Sequence, residues 1–153
     1  MMKRRRWAGA VLAVLCLTAA MSAHAHETVK VTAGSAAVRN GPGKSHKVIG
    51  TVHDGQVYVR TDASGDWREI WYGYAKGWVW KGNLVEVNRA RRFVTAGHLT
   101  VRAGPGSGYA DVGTARKGSC WAMVGDSGAW RKVFFRGKAA WMHSDHLTPD
   151  HVD

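Results

Sequence analysis

One stretch of the sequence has the residue types of a hydrolase nucleophile, because Gly125-Asp126-Ser127-Gly128 places a serine beside an acidic residue and a glycine. A catalytic serine also needs a histidine base, an orienting acid and a scaffold that holds all three in register. The corresponding stretch 63 residues earlier in the chain is Asp62-Ala63-Ser64-Gly65. We therefore interpret both stretches as turns of a repeated unit rather than as a protease motif.

Cys120 together with His143 or His146 has the residue types of a cysteine peptidase. A thiolate nucleophile is stabilised at a helix start or beside cations, whereas Cys120 lies in an apolar, strand-like stretch. The second cysteine, Cys16, lies in the predicted leader, so no disulfide is expected after cleavage. The sequence predicts a buried, unreactive thiol, no catalytic residues and a protein that is not an enzyme.

Three other residues have the side chains of a metal site: His143 and His146 with Asp145 between them, and His151 lies nearby. These side chains could bind Zn²⁺ or Cu²⁺. Because Trp80 and Asn83 stand at the positions of His143 and His146 in the preceding unit, the repeated fold does not require histidines there. We expect surface histidines, no metal and no cofactor. A chain cleaved before His26 would offer an amine and an imidazole to copper, but the sequence places no second ligand beside them.

The aromatic residues are the best candidates for binding. Trp67 and Trp130 follow the middle turn of each unit at the same spacing. Either they contact a ligand or they close a small core, since tryptophan serves both purposes. Alternation along strands forces some aromatic rings outward in so small a fold. The residues predicted to bind a ligand are Trp67, Trp71, Tyr72, Trp80, Trp130, Phe134 and His146.

The elements that must position these residues come from a tandem duplication. Val31-Thr32-Ala33-Gly34 recurs as Val94-Thr95-Ala96-Gly97, and the match continues without a gap over 31–84 and 94–147. In that register 18 of 54 aligned positions are identical. Two copies of one small unit are predicted.

The first 25 residues have the features of a secretory signal peptide. Lys3-Arg4-Arg5-Arg6 precedes an apolar run at 8–20, and Ala23-His24-Ala25 provides the small residues of a cleavage site. We expect cleavage before His26; an uncleaved anchor is the alternative. The chain from residue 26 has no predicted transmembrane segment. It carries 18 Lys+Arg and 11 Asp+Glu, a net charge of +7, which could attract anionic polymers although the basic residues are scattered.

Each unit consists of short β-forming runs separated by turn residues, such as Asn40-Gly41-Pro42-Gly43 and His53-Asp54-Gly55. No helical periodicity is present, so an all-β fold of small barrels is predicted. The expected organisation is a signal peptide (1–25), a first domain (26–87), a linker (88–91) and a second domain (92–153).

These motifs resemble the bacterial SH3-like (SH3b) family. Val38-Arg39-Asn40-Gly41-Pro42-Gly43 and Val101-Arg102-Ala103-Gly104-Pro105-Gly106 are similar to its VRxGPG signature. Trp67-Arg68-Glu69-Ile70 and Gly77-Trp78-Val79 follow in the order typical of the family. The resemblance implies two tandem SH3-like barrels of five to six strands that act as a binding module, often for cell-wall peptidoglycan.

One departure from that pattern lies just before the closing leucine of each unit, where SH3 folds usually carry a tyrosine of the polyproline groove. Asn83 and His146 stand there, so a polyproline ligand is not expected. We predict an exported, periplasmic or envelope-associated, non-enzymatic protein that binds peptidoglycan through aromatic grooves. The alternatives are an envelope protein-interaction or assembly module, and a basic secreted protein that binds polyanions. Nucleic acid is the less favoured partner.

Overall fold

The computed structural model describes residues 26–152, and the predicted signal peptide lies outside them. Within that range the chain is all-β, as predicted, with fifteen strands and two single-turn 3-10 helices at Lys81–Asn83 and Ser144–His146. The strands are β1 (Glu27–Val31), β2 (Ser35–Arg39), β3 (Val48–His53), β4 (Val57–Ser64), β5 (Trp67–Trp71), β6 (Lys76–Trp80), β7 (Leu84–Val87), β8 (Arg91–Val94), β9 (His98–Arg102), β10 (Asp111–Arg116), β11 (Cys120–Ala122), β12 (Gly125–Ser127), β13 (Trp130–Phe135), β14 (Lys138–His143) and β15 (Leu147–Thr148).

The duplication seen in the sequence is present in the strands. β2 and β3 begin and end 63 residues before β9 and β10, and both 3-10 turns keep the same offset. Gly65 and Gly128 have φ of 55° and 56°, and Gly55 and Gly118 have φ of 81° and 82°. A left-handed backbone at matching turns explains why glycine stands at these positions in both copies.

The strands form antiparallel sheets of the SH3-like type. The first repeat is one seven-stranded sheet in the order β3-β2-β6-β5-β4-β1-β7. The second repeat divides into a five-stranded sheet, β10-β9-β14-β13-β12, and a three-stranded sheet, β11-β8-β15. The difference arises because the long β4 of the first repeat corresponds to two shorter strands, β11 and β12, in the second.

Two apolar cores fill the repeats, and each core receives side chains from the other repeat. The core of the second repeat includes Val57, Val59 and Trp71 of the first. In return, Phe134 of the second repeat packs against the core of the first. Because a unit of this size buries only a marginal core by itself, this exchange stabilises both repeats.

A buried polar junction reinforces that contact. The Tyr58 hydroxyl donates to Gln56 Oε1 at 2.9 Å and accepts from the Gly137 amide at 3.0 Å. Gln56 Nε2 donates to the Gly137 carbonyl at 2.7 Å. The Arg136 amide adds a bond to the Tyr72 carbonyl at 2.7 Å. The tip of the β13–β14 hairpin is thereby joined to the first repeat. Burial raises the pKa of Tyr58, so its hydroxyl keeps the proton that it donates.

No helix among residues 26–152 is long and apolar enough to cross a membrane.

Candidate functional site

Two tryptophans form one wall of a groove on the first repeat. Trp67 on β5 and Trp80 on β6 are direct cross-strand partners. Because side chains alternate along a strand, cross-strand partners project from the same face of the sheet. The groove they line has a volume of about 520 Å³. Its remaining lining residues are Ala37, Arg39, Lys44, Asp66 and Asn83.

The ring of Trp80 lies over the 3-10 turn that follows β6. It is 47% exposed, although it is a large apolar side chain. A Cβ atom added to Gly82 would collide with this ring, so the absence of a side chain at Gly82 lets Trp80 occupy its position. Lys81 Nζ and Asp66 Oδ1 form an ion pair at 3.0 Å beside the groove. Both side chains are largely exposed, and such pairs contribute little to stability.

The loop after β2 forms the basic edge of the groove. Arg39 Nη1 donates to the Lys44 carbonyl at 3.1 Å and to the His46 carbonyl at 3.0 Å. The Arg39 side chain therefore holds the loop and positions Lys44, whose ammonium group is the cation that can meet an anionic ligand. Arg102 makes the equivalent bond in the second repeat, to the Tyr109 carbonyl at 3.0 Å.

The corresponding region of the second repeat keeps one tryptophan and replaces the other. Trp130 pairs across the strands with His143, and their ring centroids are 5.2 Å apart in an edge-to-face arrangement. His143 Nδ1 accepts the Asp145 amide at 3.1 Å, and the exposed His146 ring lies 6.2 Å from that of His143. The indole face that Trp80 offers in the first repeat is thus replaced by imidazoles.

The structure separates the other predicted binding residues from these grooves. Trp71 is only 8% exposed and Tyr72 only 6% exposed. Trp71 packs in the core of the second repeat and Phe134 packs against the core of the first. The Tyr72 hydroxyl bonds with the backbone of Thr51. Trp71 and Phe134 pack between the repeats, and the Tyr72 side chain packs within the first, so none of the three belongs to the proposed site.

The predicted binding residues did not include the polar residues of the first groove, which are Arg39, Lys44, Asp66 and Asn83. A signal for Lys44 and Asp66 was present, because the second repeat has Ser107 and Ala129 at the same positions. Where the two copies differ at exposed positions, the fold does not require a particular residue type. Lys44 and Asp66 could therefore have been found by comparing the copies instead of the residue types.

The prediction that Cys120 is buried is confirmed. Its side chain has no exposed surface, and burial raises the pKa of its thiol to about 12. At neutral pH the thiol is therefore protonated, which is the form that does not act as a nucleophile. Ser127 is the last residue of β12 and lies opposite Trp130, so the turn predicted over 125–128 is wrong for its first three residues and begins at Gly128.

No group of three or more His, Cys, Asp or Glu side chains within residues 26–152 is arranged to hold a metal ion.

Residues 34–85 match the family described as bacterial SH3 domain. The chain is also similar to the Bacillus subtilis (strain 168) protein YrvJ, provisionally named an N-acetylmuramoyl-L-alanine amidase. The two are 28% identical over 121 residues, which cover 72% of this chain and 23% of that protein. This chain thus spans about a quarter of the relative's length.

Among solved structures the chain is similar to NlpC1 from Trichomonas vaginalis. The sequences are 10% identical with a TM-score of 0.39, over 82% of this chain and 46% of that one. An NlpC/P60 family protein from Bacillus cereus ATCC 10987 is 13% identical with a TM-score of 0.35, over 79% of this chain and 55% of that one. This chain spans about half the length of either protein.

Proposed function

We propose that this protein is an exported, non-enzymatic module that binds peptidoglycan through the Trp67–Trp80 groove of its first repeat. The observation that carries the proposal is the pair of cross-strand tryptophans, one of them half exposed, beside a lysine and a paired carboxylate. Exposing an indole ring to water is unfavourable in free energy, and a ligand that covers the ring removes that cost. The half-exposed Trp80 ring is therefore a candidate contact surface.

The chemistry of the groove suits a glycan that carries peptides. Sugar rings present C–H faces that pack on an indole, while the peptide stems of peptidoglycan carry free carboxylates. Lys44 at the rim can meet such a carboxylate, and Asn83 offers both a donor and an acceptor to hydroxyl or amide groups. A groove with one aromatic wall and a polar rim therefore matches this ligand class better than an entirely apolar or entirely charged ligand.

Two comparisons support the envelope as the place of action. Domains of the bacterial SH3 family typically act outside the cell or in its envelope, and residues 34–85 match that family. The relative YrvJ is named for the N-acetylmuramoyl-L-alanine bond, which joins the glycan of peptidoglycan to its peptide. The predicted signal peptide at 1–25 would deliver the chain to the same compartment.

A non-catalytic role is supported by the chemistry of the side chains that the sequence singled out. The Cys120 thiol is buried and its pKa is raised to about 12. Ser127 lies in an exposed hairpin opposite a tryptophan rather than beside a histidine base. Neither side chain has the activated environment that a nucleophile needs.

The test is co-sedimentation with purified peptidoglycan sacculi at increasing salt. We expect wild-type protein to sediment with sacculi, and Trp80→Ala to lose most of that binding because the exposed indole face is gone. Lys138→Ala, an exposed change at the start of β14, is the matched control and should bind like wild type. Near-ultraviolet circular dichroism of each variant checks that the fold is retained.

Three results would argue against the proposal. Binding that falls steeply and linearly with the logarithm of salt concentration would indicate polyanion binding instead. Equal sedimentation of wild type and Trp80→Ala would remove the groove from the interaction. Absence of sedimentation, with capture of one defined envelope protein through the same groove, would favour the protein-interaction alternative.

A further inference from the structure

Two histidines from the opposite ends of the described chain lie against one phenylalanine. The rings of His26 and His151 have centroids 5.4 Å apart. Each ring also lies 5.2 Å from the ring of Phe93, edge to face. Phe93 is buried in the core of the second repeat, on β8. The fold therefore places beside His26 the second imidazole that the sequence alone could not locate.

The backbone holds His26 in this position. Its amide nitrogen donates to the Arg60 carbonyl at 2.8 Å, and β1 follows directly with Glu27 paired to Arg60 in the sheet. This attachment places the α-nitrogen as well as the imidazole at the start of β1, an interior strand of the first sheet. An amine at the same position would keep a hydrogen for the Arg60 carbonyl while its lone pair bound another atom.

We propose that, once the leader is removed after Ala25, the α-amine and imidazole of His26 and the imidazole of His151 form a binding site for Cu²⁺. Removal of the leader is part of the proposed function and is the premise of this site. The amine and Nδ1 of one histidine close a six-membered chelate ring on a metal ion. His151 then supplies a third nitrogen from the other end of the chain.

The donor set selects the metal. Amine and imidazole nitrogens are borderline ligands, and among divalent first-row ions Cu²⁺ binds such sites most tightly. Mg²⁺ and Ca²⁺ require oxygen ligands, so they should not compete. Each donor must be unprotonated to bind. The nearby cations Arg91 and Lys76 repel any divalent ion at this place, so the ion must form bonds to nitrogen strong enough to offset that repulsion.

Copper would also join the two ends of the folded chain. Residues 149–152 follow the last strand and are attached there through contacts such as that of His151 with Phe93. An ion held jointly by His26 and His151 binds only the folded chain in this way, so it should raise the melting temperature, and the increase should grow with the logarithm of the free ion concentration once that exceeds Kd.

The experiment uses the protein exported and processed by a bacterial host, with its N-terminus determined by intact mass. The protein is titrated with CuCl₂ at pH 7.5 by calorimetry, and electron paramagnetic resonance of the 1:1 mixture counts the nitrogen ligands. We expect one ion per chain. His151→Ala should weaken Kd about tenfold or more, equivalent to about 1.4 kcal/mol. His53→Ala, which removes an exposed histidine outside this pair, should leave Kd within about twofold of wild type.

The outcomes separate this proposal from the proposed function. A chain that begins elsewhere than His26 overturns the copper site without affecting sacculus binding, which is measured separately. A chain that begins at His26 but binds copper equally well with and without His151 also overturns it, and leaves the two rings as an apolar contact that attaches the ends of the chain. A nitrogen-rich signal that is lost in both His26→Ala and His151→Ala supports the shared site.

Discussion

The Trp67–Trp80 groove of the first repeat and the corresponding region of the second differ in their exposed side chains and agree in the residues that hold the fold. Trp67 and Trp130 begin equivalent strands, and Lys81 and Ser144 donate backbone bonds at 2.8 Å to the residue before each tryptophan. Beyond that frame, the half-exposed indole of the first repeat is replaced by a histidine in the second. The frame of the barrel is therefore common to both copies, whereas the Trp67–Trp80 pair is present in the first copy alone. A repeat can change its exposed side chains without losing its structure, since these contribute little to the core.

Among the substitutions that test this comparison, removal of the Trp67 side chain should have the largest effect on sacculus binding. We expect Trp67→Ala to weaken sacculus binding about thirtyfold, equivalent to about 2 kcal/mol for a central aromatic contact. Trp130→Ala should change binding less than about twofold. Both variants must first be shown to be folded. Equal losses from the two substitutions would indicate two equivalent sites acting by avidity, and would remove the asymmetry.

A smaller effect is expected when one residue of the 3-10 turn beside the first groove is replaced by its counterpart from the second repeat. Gly82→Asp introduces the residue that stands at Asp145 in the other repeat, and its Cβ would displace the ring of Trp80. We expect binding to fall about tenfold, near 1.4 kcal/mol, with the melting temperature nearly unchanged. Gly34→Ala is the control, because a Cβ there meets no atom within 4 Å. Wild-type binding by Gly82→Asp would show that the position of Trp80 does not matter.

The buried hydroxyls of the two repeats permit a comparison of stability. Tyr58→Phe leaves the Gly137 amide without its partner and should cost about 1–3 kcal/mol in the free energy of unfolding. Ser119, two residues before Trp121, accepts the indole N–H of Trp121 at 2.9 Å within the second repeat. We expect Ser119→Ala to cost a similar or smaller amount, measured by urea unfolding. No loss of stability in Tyr58→Phe would mean that the junction between repeats contributes nothing.

The smallest effect is expected at Cys120, which occupies the position of Val57 in the first repeat. Both side chains are buried, so Cys120→Val should change the free energy of unfolding by less than about 1.5 kcal/mol. The native thiol should react with a neutral thiol reagent only as fast as the protein opens. Immediate stoichiometric labelling of the folded protein at pH 7 would contradict the buried, protonated thiol.

The short strands along the chain, the glycine turns and the burial of Cys120 could be predicted because they depend on local chemistry and on the repeat. Alternating apolar residues and left-handed turns have the same consequence wherever they occur. The exposure of individual aromatic residues could not be predicted in this way. Trp71 and Trp80 stand on neighbouring strands of the same repeat, yet only Trp80 is half exposed. The difference depends on the second repeat, which covers Trp71 and leaves Trp80 uncovered.

The sequence by itself therefore determined that this is a duplicated all-β protein and which residues form the frame of each copy, because backbone preferences act over a few residues. Only the tertiary structure decided which aromatics form a groove, how Phe134 and Trp71 exchange cores, and that His26 meets His151. Those contacts join residues up to 125 positions apart in the numbering. They depend on how the two repeats pack against each other, and no periodicity within either copy records that packing.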